Sequence, residues 1–373
     1  MIKKIGITGQ SGFMGTHLAN FLSMHKDKVE VIPFSDDYFK DEVQLKNFAL
    51  QCDTIVHLAA MNRTKGPQEE IYKCNIDLVK QLIDVLEKNK HKPYVIFASS
   101  TQEDRDNFYG KSKKEGRKLL EGWAERNNSK VFSLIIPNVF GPFGQPYFNS
   151  VIATFSYQLT HNLIPKIDID AELTLIYINA LVSYFYKVIN HEYGGKSLRI
   201  ETEIRYKVSD ILGKLLSYKN IYLDKNIFPE LKDEFDISLF NTFRSYIDYN
   251  HFPVKLSVHS DNRGYLVENI KSVIGGQVFF SSTKPGITRG DHFHTKKIER
   301  FCVLKGNAKI TFRKIGTTEK IEYFVSGDEP SFVDIPIFHT HNITNTGDTE
   351  LLTLFWSNEL FDPEKPDTFF EEV

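Results

Sequence analysis

Cysteine is scarce in this chain: only Cys52, Cys74 and Cys302 are present, far apart and with no CxxC pair. An odd number at such spacings excludes a disulfide framework or a cysteine-built metal site and fits a reducing, cytoplasmic setting. No charge of one sign prevails. Lys plus Arg number 46 against 48 Asp plus Glu, a net charge of -2. There is then no basic field for nucleic acid or a membrane surface, and the expected partners are small molecules. Long apolar runs are missing too. The most apolar stretch, Leu173 to Ile189, carries Asn179, Ser183 and three tyrosines, and falls short of the roughly 20 apolar residues a membrane span needs. It reads as a buried or amphipathic helix. The opening MIKKIGITGQ lacks the apolar core of a signal peptide and reads as a first strand.

What is present suffices for more than one core: 373 residues, 41% of them hydrophobic, suggest two domains. From Met1 to about Leu134, strand-like runs (KKIGIT, VEVIPF, DTIVHLAA, YVIFASS, VFSLII) alternate with helical patterns such as THLANFLSMH and NIDLVKQLIDVLEK. Such a βαβ series predicts an α/β Rossmann-like, doubly wound parallel sheet. From about Val254, short β-branched and aromatic runs (QVFFSST, RFCVLKG, AKITFRK, EYFVSG, SFVDIP, LLTLFW) are punctuated by Gly, Pro and Asn, which predicts an all-β sandwich or barrel. Residues 200 to 250 between them read as helical and polar, with FDISLFNTFRSYIDY as a closing helix. The expected domains are 1–248 and 249–373.

Gly9, Gly12 and Gly15 follow the first strand and open a helix, the context in which glycines let a pyrophosphate approach the backbone at a helix N-terminus. Tyr109 and Lys113 stand four residues apart at the start of a helical pattern, after the strand YVIFASST. On one helix face, the ammonium is expected to lower the tyrosine pKa, so that Tyr109 gives its proton to a carbonyl oxygen as hydride reaches the carbon. Ser100, with Ser99 and Thr101 as competitors, would hydrogen-bond the same oxygen. The motif set is TGxxGxxG at Thr8 to Gly15, HLAA at His57 to Ala60, Asn75 opening a helix, the FASS strand end, Tyr109-x3-Lys113 and PNVFGP at Pro137 to Pro142. It resembles the nucleotide-sugar branch of the extended short-chain dehydrogenases/reductases. The resemblance implies a UDP- or dTDP-sugar substrate and a nicotinamide held by Gly9, Gly12, Phe13, Met14, Gly15, Ser35, Asp36, Leu58, Ala59, Ala60, Tyr109 and Lys113. Asp36 lies 21 residues beyond Gly15, where an acid favours NAD(H) over NADP(H), although the resemblance implies NADP(H). Asp36 reads equally as a solvated loop residue, with Ser35 facing the ribose.

Four of the 12 histidines, His292, His294, His339 and His341, fall in two short segments near the end of the chain. In a strand His292 and His294 share a face, and with Glu299 and His341 they make a three-His, one-carboxylate set suited to zinc or another divalent metal. The segments resemble the two cupin motifs: Gly286 to Gly306 without mismatch, and Pro336 to Asn345 with Phe338 in place of a glycine and an additional His339. The cupin resemblance implies a jelly roll and a homodimer; His341 is favoured as the ligand from the motif register, with His339 as the alternative. Asp261-Asn-Arg263-Gly264-x3-Glu268 and Thr288-Arg289-Gly290-Asp-His292 also resemble the deoxysugar 3,5-epimerases, whose histidine after Arg-Gly is a base. A metal-bound His292 is a poor base, which leaves His339, Lys296 and Tyr265 as candidates.

A reductase of this branch followed by a short cupin resembles the bifunctional capsular-polysaccharide enzymes of UDP-N-acetyl-L-fucosamine synthesis. That resemblance implies C3 epimerisation of a UDP-4-keto-6-deoxy-N-acetylhexosamine by the cupin and reduction at C4 by the first domain, giving UDP-N-acetyl-6-deoxytalose. The rivals are a reductase whose cupin only binds sugar or holds a dimer, and a redox sensor, which the intact Tyr109 and Lys113 disfavour.

Overall fold

The computed structural model describes residues 2–256, 258–261, 264–267, 270–272, 276–359, 362 and 364–373, without the side chains of 258–267 and 277. The chain divides into two compact units, Met1–Val151 with Asp170–Val208, and Ile152–Ile169 with Ser209–Val373.

In the first unit, β1 (Lys3–Thr8), β2 (Val29–Ile32), β3 (Thr54–His57), β4 (Tyr94–Ser100), β5 (Val131–Ile136) and β8 (Ser197–Arg199) form a parallel sheet in the order β2-β1-β3-β4-β5-β8. Alternate residues of its strands feed two cores. Ile5, Ile7, Val56, Ile96 and Ala98 pack with helices α1 (Phe13–Ser23) and α6 (Ile178–Ile189). Ile55, Val95 and Phe97 pack on the other face with α2 (Glu42–Ala49), α3 (Glu69–Lys88) and α4 (Phe108–Asn127). The sheet is therefore doubly wound, as expected from two-faced apolar strands. The strand order reverses between β1 and β3, which opens a crevice at their carboxyl ends. A small sheet of β6 (Asn138–Phe140), β7 (Glu172–Tyr177) and β9 (Arg205–Lys207) completes the unit.

The stretch Leu173 to Ile189 is not one helix: its first residues belong to β7 and the rest to α6. Thr174 and its neighbours pair with β9 on one side, and Leu175 to Tyr177 with β6 on the other, so tertiary pairing decides where local propensity is ambiguous. Among the described residues no helix is long and apolar enough to cross a membrane.

The second unit is built on two antiparallel five-stranded sheets. One runs β11 (Val254–Lys255), β20 (Ser331–Ile335), β17 (Glu299–Lys305), β22 (Leu351–Ser357), β15 (Gln277–Thr283). The other runs β19 (Lys320–Ser326), β18 (Asn307–Lys314), β21 (His339–Asn345), β16 (Thr288–Phe293), β23 (Phe369–Phe370). Phe301, Val303 and Phe355 of the first meet Ile310, Phe312 and Ile343 of the second in a shared core, the packing of a cupin jelly roll. Two two-stranded pairs, β12 (Val258–Asp261) with β13 (Gly264–Val267) and β10 (Ile227–Phe228) with β14 (Lys271–Ser272), lie outside these sheets.

Helices α5 (Val151–Thr160), α7 (Val208–Tyr218) and α8 (Glu234–Arg244) accompany the sandwich. The junction expected at 248/249 lies inside this second unit. Helix α8 closes the polar stretch where a helix was expected, with its polar residues Asp236, Asn241, Thr242 and Arg244 all buried. Arg244 Nη2 donates to Ile335 O (2.9 Å). Arg300, 1% exposed, makes two bonds to Asp334 (2.7 and 2.9 Å) between the rings of Phe228 and Phe332, and the Tyr222 hydroxyl donates to the same carboxylate.

Candidate functional site

The glycine loop sits at the β1/β3 crevice. Gly9 has φ +70, and a Cβ there would meet the Ala59 backbone at 2.9 Å; at Gly15 a Cβ would stand 2.2 Å from Gly9 O. Glycine is required at both, once by conformation and once by close approach. Gly12 caps α1 without a side chain, and the first turn has no acid, so the positive end of the helix faces outward unneutralised. Leu58 N donates to Thr8 O (3.2 Å) and Ala59 N to Thr8 Oγ1 (3.3 Å), while His57 Nδ1 shares a 2.8 Å bond with that hydroxyl. Burial drives the His57 pKa down to about 3, so the ring is neutral and structural. At the loop mouth the exposed Asp36 accepts from Ser11 Oγ (2.8 Å), and Ser35 is exposed beside it. These residues fit a dinucleotide: a cradle that any Cβ would fill, a helix N-terminus for phosphate, and an acid at the ribose position.

Tyr109 and Lys113 lie one turn apart at the start of α4. Lys113 is 4% exposed, donates to Ala98 O (2.9 Å), and its ammonium lies 5.7 Å from the centre of the Tyr109 ring. The expected lowering of the tyrosine pKa is not found. Burial pushes Tyr109 up to about 12 and brings Lys113 down to about 8. The reason is geometric: the ammonium is spent on a backbone carbonyl, and desolvation outweighs its field at the phenol. Tyr109 therefore holds its proton firmly, as a donor must.

The three competing hydroxyls differ in their bonds. Ser99 Oγ donates to Glu103 Oε2 (2.8 Å), whereas Ser100 Oγ accepts from Gln102 N (3.2 Å), which leaves its own proton free to point elsewhere. Thr101 lines a cavity of about 760 Å³ together with Arg105, Asn138, Glu172, Arg199 and Arg205. This cavity was not foreseen, because its walls come from four separate segments; the only hint was the run of alternating charges in LRIETEIRYK.

In the second unit, His292, His294, Glu299 and His341 come together, each offering one ligand atom within 4.8 Å of the others. His294 Nε2 lies 3.0 Å and His341 Nε2 3.6 Å from Glu299 Oε2. His294 Nδ1 donates to Asp367 O (2.7 Å) and His341 Nδ1 to His339 O (3.1 Å). A carbonyl only accepts, so in each of these bonds Nδ1 carries a proton and Nε2 is the nitrogen turned toward Glu299; both Nε2 atoms are buried. Burial pushes the Glu299 carboxyl up, but His294 and His341 outweigh it and hold it well below its usual value. Burial, then the neighbouring imidazoles, lowers His292 to about 4. Imidazole nitrogens and a carboxylate converging in a largely buried cluster fit a cation. His339 lies apart from the four: its Nδ1 donates to Ile337 O (3.0 Å) and its Nε2 accepts from Tyr249 Oη (2.6 Å).

Residues 5–200 match the NAD dependent epimerase/dehydratase family. The chain belongs to that family. Residues 259–369 match the polysaccharide biosynthesis C-terminal domain. The chain is also 33% identical over 372 residues to the Pseudomonas aeruginosa UDP-2-acetamido-2,6-beta-L-arabino-hexul-4-ose reductase, covering 98% of each. A 123-residue part, 30% of the chain and 82% of the relative, is 25% identical to the Bacillus subtilis spore coat polysaccharide biosynthesis protein SpsL. Among solved structures, the Staphylococcus aureus capsular polysaccharide assembling protein CapF superposes with a TM-score of 0.64 at 36% identity, covering 99% of this chain and 100% of that one. The resemblance to capsular-polysaccharide enzymes that join these two parts is borne out by these relatives.

As a member of the epimerase/dehydratase family, the chain holds its Tyr–Lys helix in a way the motifs did not reveal. Asn75 Nδ2 donates to Ser112 Oγ on α4 (2.9 Å) and to Met61 O (3.0 Å), and Arg117 grips the buried Glu103 with two bonds (3.0 and 3.2 Å). Of the base candidates, Lys296 Nζ lies 3.4 Å from Glu359. The side chains of Asp261 and Tyr265, and all of Arg263 and Glu268, lie outside the described residues.

Proposed function

We propose that the chain is a bifunctional nucleotide-sugar enzyme for capsular or surface polysaccharide. Its cupin inverts C3 of a UDP-4-keto-6-deoxy-N-acetylhexosamine, and its first unit reduces the C4 ketone to give UDP-N-acetyl-6-deoxytalose. The observation that carries this reading is the near full-length similarity to a protein named as a reductase of a UDP-linked hexul-4-ose.

When bound, a nicotinamide supplies hydride and a divalent ion such as zinc supplies Lewis acidity. Tyr109, kept protonated by burial, donates to the ketone oxygen as charge develops there. Ser100 donates to the same oxygen. Lys113 fixes the helix start through Ala98 O and keeps a positive field beside the phenol. Gly9, Gly12, Phe13, Met14, Gly15, Ser35, Asp36, Leu58, Ala59 and Ala60 cradle the dinucleotide. Asp36 argues for NAD(H) and the resemblance for NADP(H); the ratio of kcat/KM with the two decides. His292, His294, Glu299 and His341 hold the metal, and the enzyme acts as a cytoplasmic homodimer.

In heavy water with the keto-sugar, deuterium is expected to enter beside the ketone, and His294→Ala to abolish it. No label with the intact protein, or unchanged label with the variant, removes the epimerase and leaves a cupin that binds sugar or pairs subunits. Tyr109→Phe is expected to slow nicotinamide oxidation about 100-fold or more; an unchanged rate overturns the reductase assignment.

A further inference from the structure

Residues 367–373 touch the four-ligand cluster from two sides. On the first, Asp367 O accepts from His294 Nδ1 at 2.7 Å, which leaves Nε2 as the nitrogen turned to the cluster. The Asp367 carboxylate anchors that carbonyl: Oδ1 accepts from Thr295 N (3.2 Å) and Thr295 Oγ1 (2.6 Å), and Oδ2 from Lys296 N (2.9 Å) and Lys297 N (2.8 Å). Those donors form the turn between His294 and Glu299. On the second side, β23 pairs with β16, Phe370 opposite His292 and Phe369 opposite Phe293. Glu371 N donates to Asp291 O (2.9 Å). Asp291 (φ +58) and Gly290 (φ +117) mark the register shift that precedes His292.

We propose that residues 367–373 form a strap that presets the metal-binding tautomer of His294 and the placement of His292, with Asp367 as its positioning residue. The inference rests on the reading of the cluster as a metal site. An acceptor on the far nitrogen of a ligating imidazole fixes its tautomer and ring orientation, and coupling between strap docking and metal retention runs both ways.

The test compares the full chain with Asp367→Ala, Asp367→Asn and a chain ended after Pro366, using zinc and a competing chelator as probe. Asp367→Ala and the shortened chain are expected to hold zinc about tenfold or more weakly. Asp367→Asn should fall between, because its amide oxygen still accepts and Asn tolerates the left-handed backbone found there (φ +42). In zinc-free protein, imidazole nitrogen NMR should find His294 protonated on Nδ1, and a tautomer mixture in Asp367→Ala. Amides 369 to 371 should exchange more slowly once zinc is added. Unchanged zinc affinity in Asp367→Ala with a normal melt, or an intact protein with His294 protonated on Nε2, overturns the strap. If Asp367→Ala and the shortened chain do not fold, Asp367→Asn and the tautomer of the intact protein decide. A protein that binds no zinc, with His294 on the expected tautomer, overturns the metal reading, and with it only the coupling.

Discussion

Lys113 is a cation held away from water beside the phenol it serves. Its folded pKa of about 8, against an ordinary 10.5, corresponds to about 3 kcal/mol favouring the unfolded chain while the group is charged. The sign follows from proton binding. Between pH 8 and 10.5 the unfolded chain binds the proton more tightly, so stability rises with pH across that window, and below pH 8 the full penalty applies. Lys113→Met loses the bond to Ala98 O, about 1 kcal/mol, and is expected to stabilise the protein by about 2 kcal/mol at pH 7. The variant should also lack the gain above pH 8 and have no reductase activity; an unchanged or lower denaturation midpoint at pH 7 refutes the account. The Tyr109–Lys113 pair was legible in the sequence because i, i+4 on a helix is a local relation. The tyrosine's raised pKa was not, since desolvation belongs to the folded surroundings. Asp367 escaped notice for the same reason: its partner His294 is 73 residues away.

At the scale of elements, α4 rests directly on the turn Thr101–Asp104 that follows Ser100. A Cβ on Gly110 would stand 2.0 Å from Gln102 O, so the glycine sets how closely helix and turn approach. Arg117, two turns beyond Tyr109, clamps the same turn through Glu103, whose side chain is 4% exposed. Arg117→Ala leaves that carboxylate buried with Ser99 as its remaining donor, and is expected to lower the denaturation free energy by about 3 kcal/mol. It should also reduce kcat by loosening Ser100 against Tyr109. A loss below about 0.5 kcal/mol, the range of ordinary surface changes, means the clamp is not structural. The strands and helices of the first unit could be read from the period of their apolar residues. The run LTLIYI could not, because its strand exists only through its neighbours.

For the whole molecule, the onset of the sandwich was readable near Val254, where β11 begins. Which helices accompany it was not, because that depends on contacts such as Tyr222 with Asp334, 112 residues apart. A fragment 249–373 lacks Tyr222, Phe228 and Arg244, and so strips Arg300 of an aromatic neighbour and Asp334 of its tyrosine. The fragment is expected to show no cooperative melt, whereas in the full chain Asp334→Ala should cost about 3–5 kcal/mol by leaving a buried guanidinium unpaired; a fragment that melts at the full chain's midpoint refutes this. The interleaving of the two units also bears on biosynthesis. Ile152, Phe155 and Leu159 are buried in a unit that otherwise begins at Ser209. At ribosomal speeds of about 5–20 residues per second, the helix end at Thr160 leaves the ribosome about 4–17 s before Tyr246, whose carbonyl accepts from the Thr160 hydroxyl. During that interval the nascent chain presents an apolar helix whose own unit has not yet been made, a segment that a chaperone can grip.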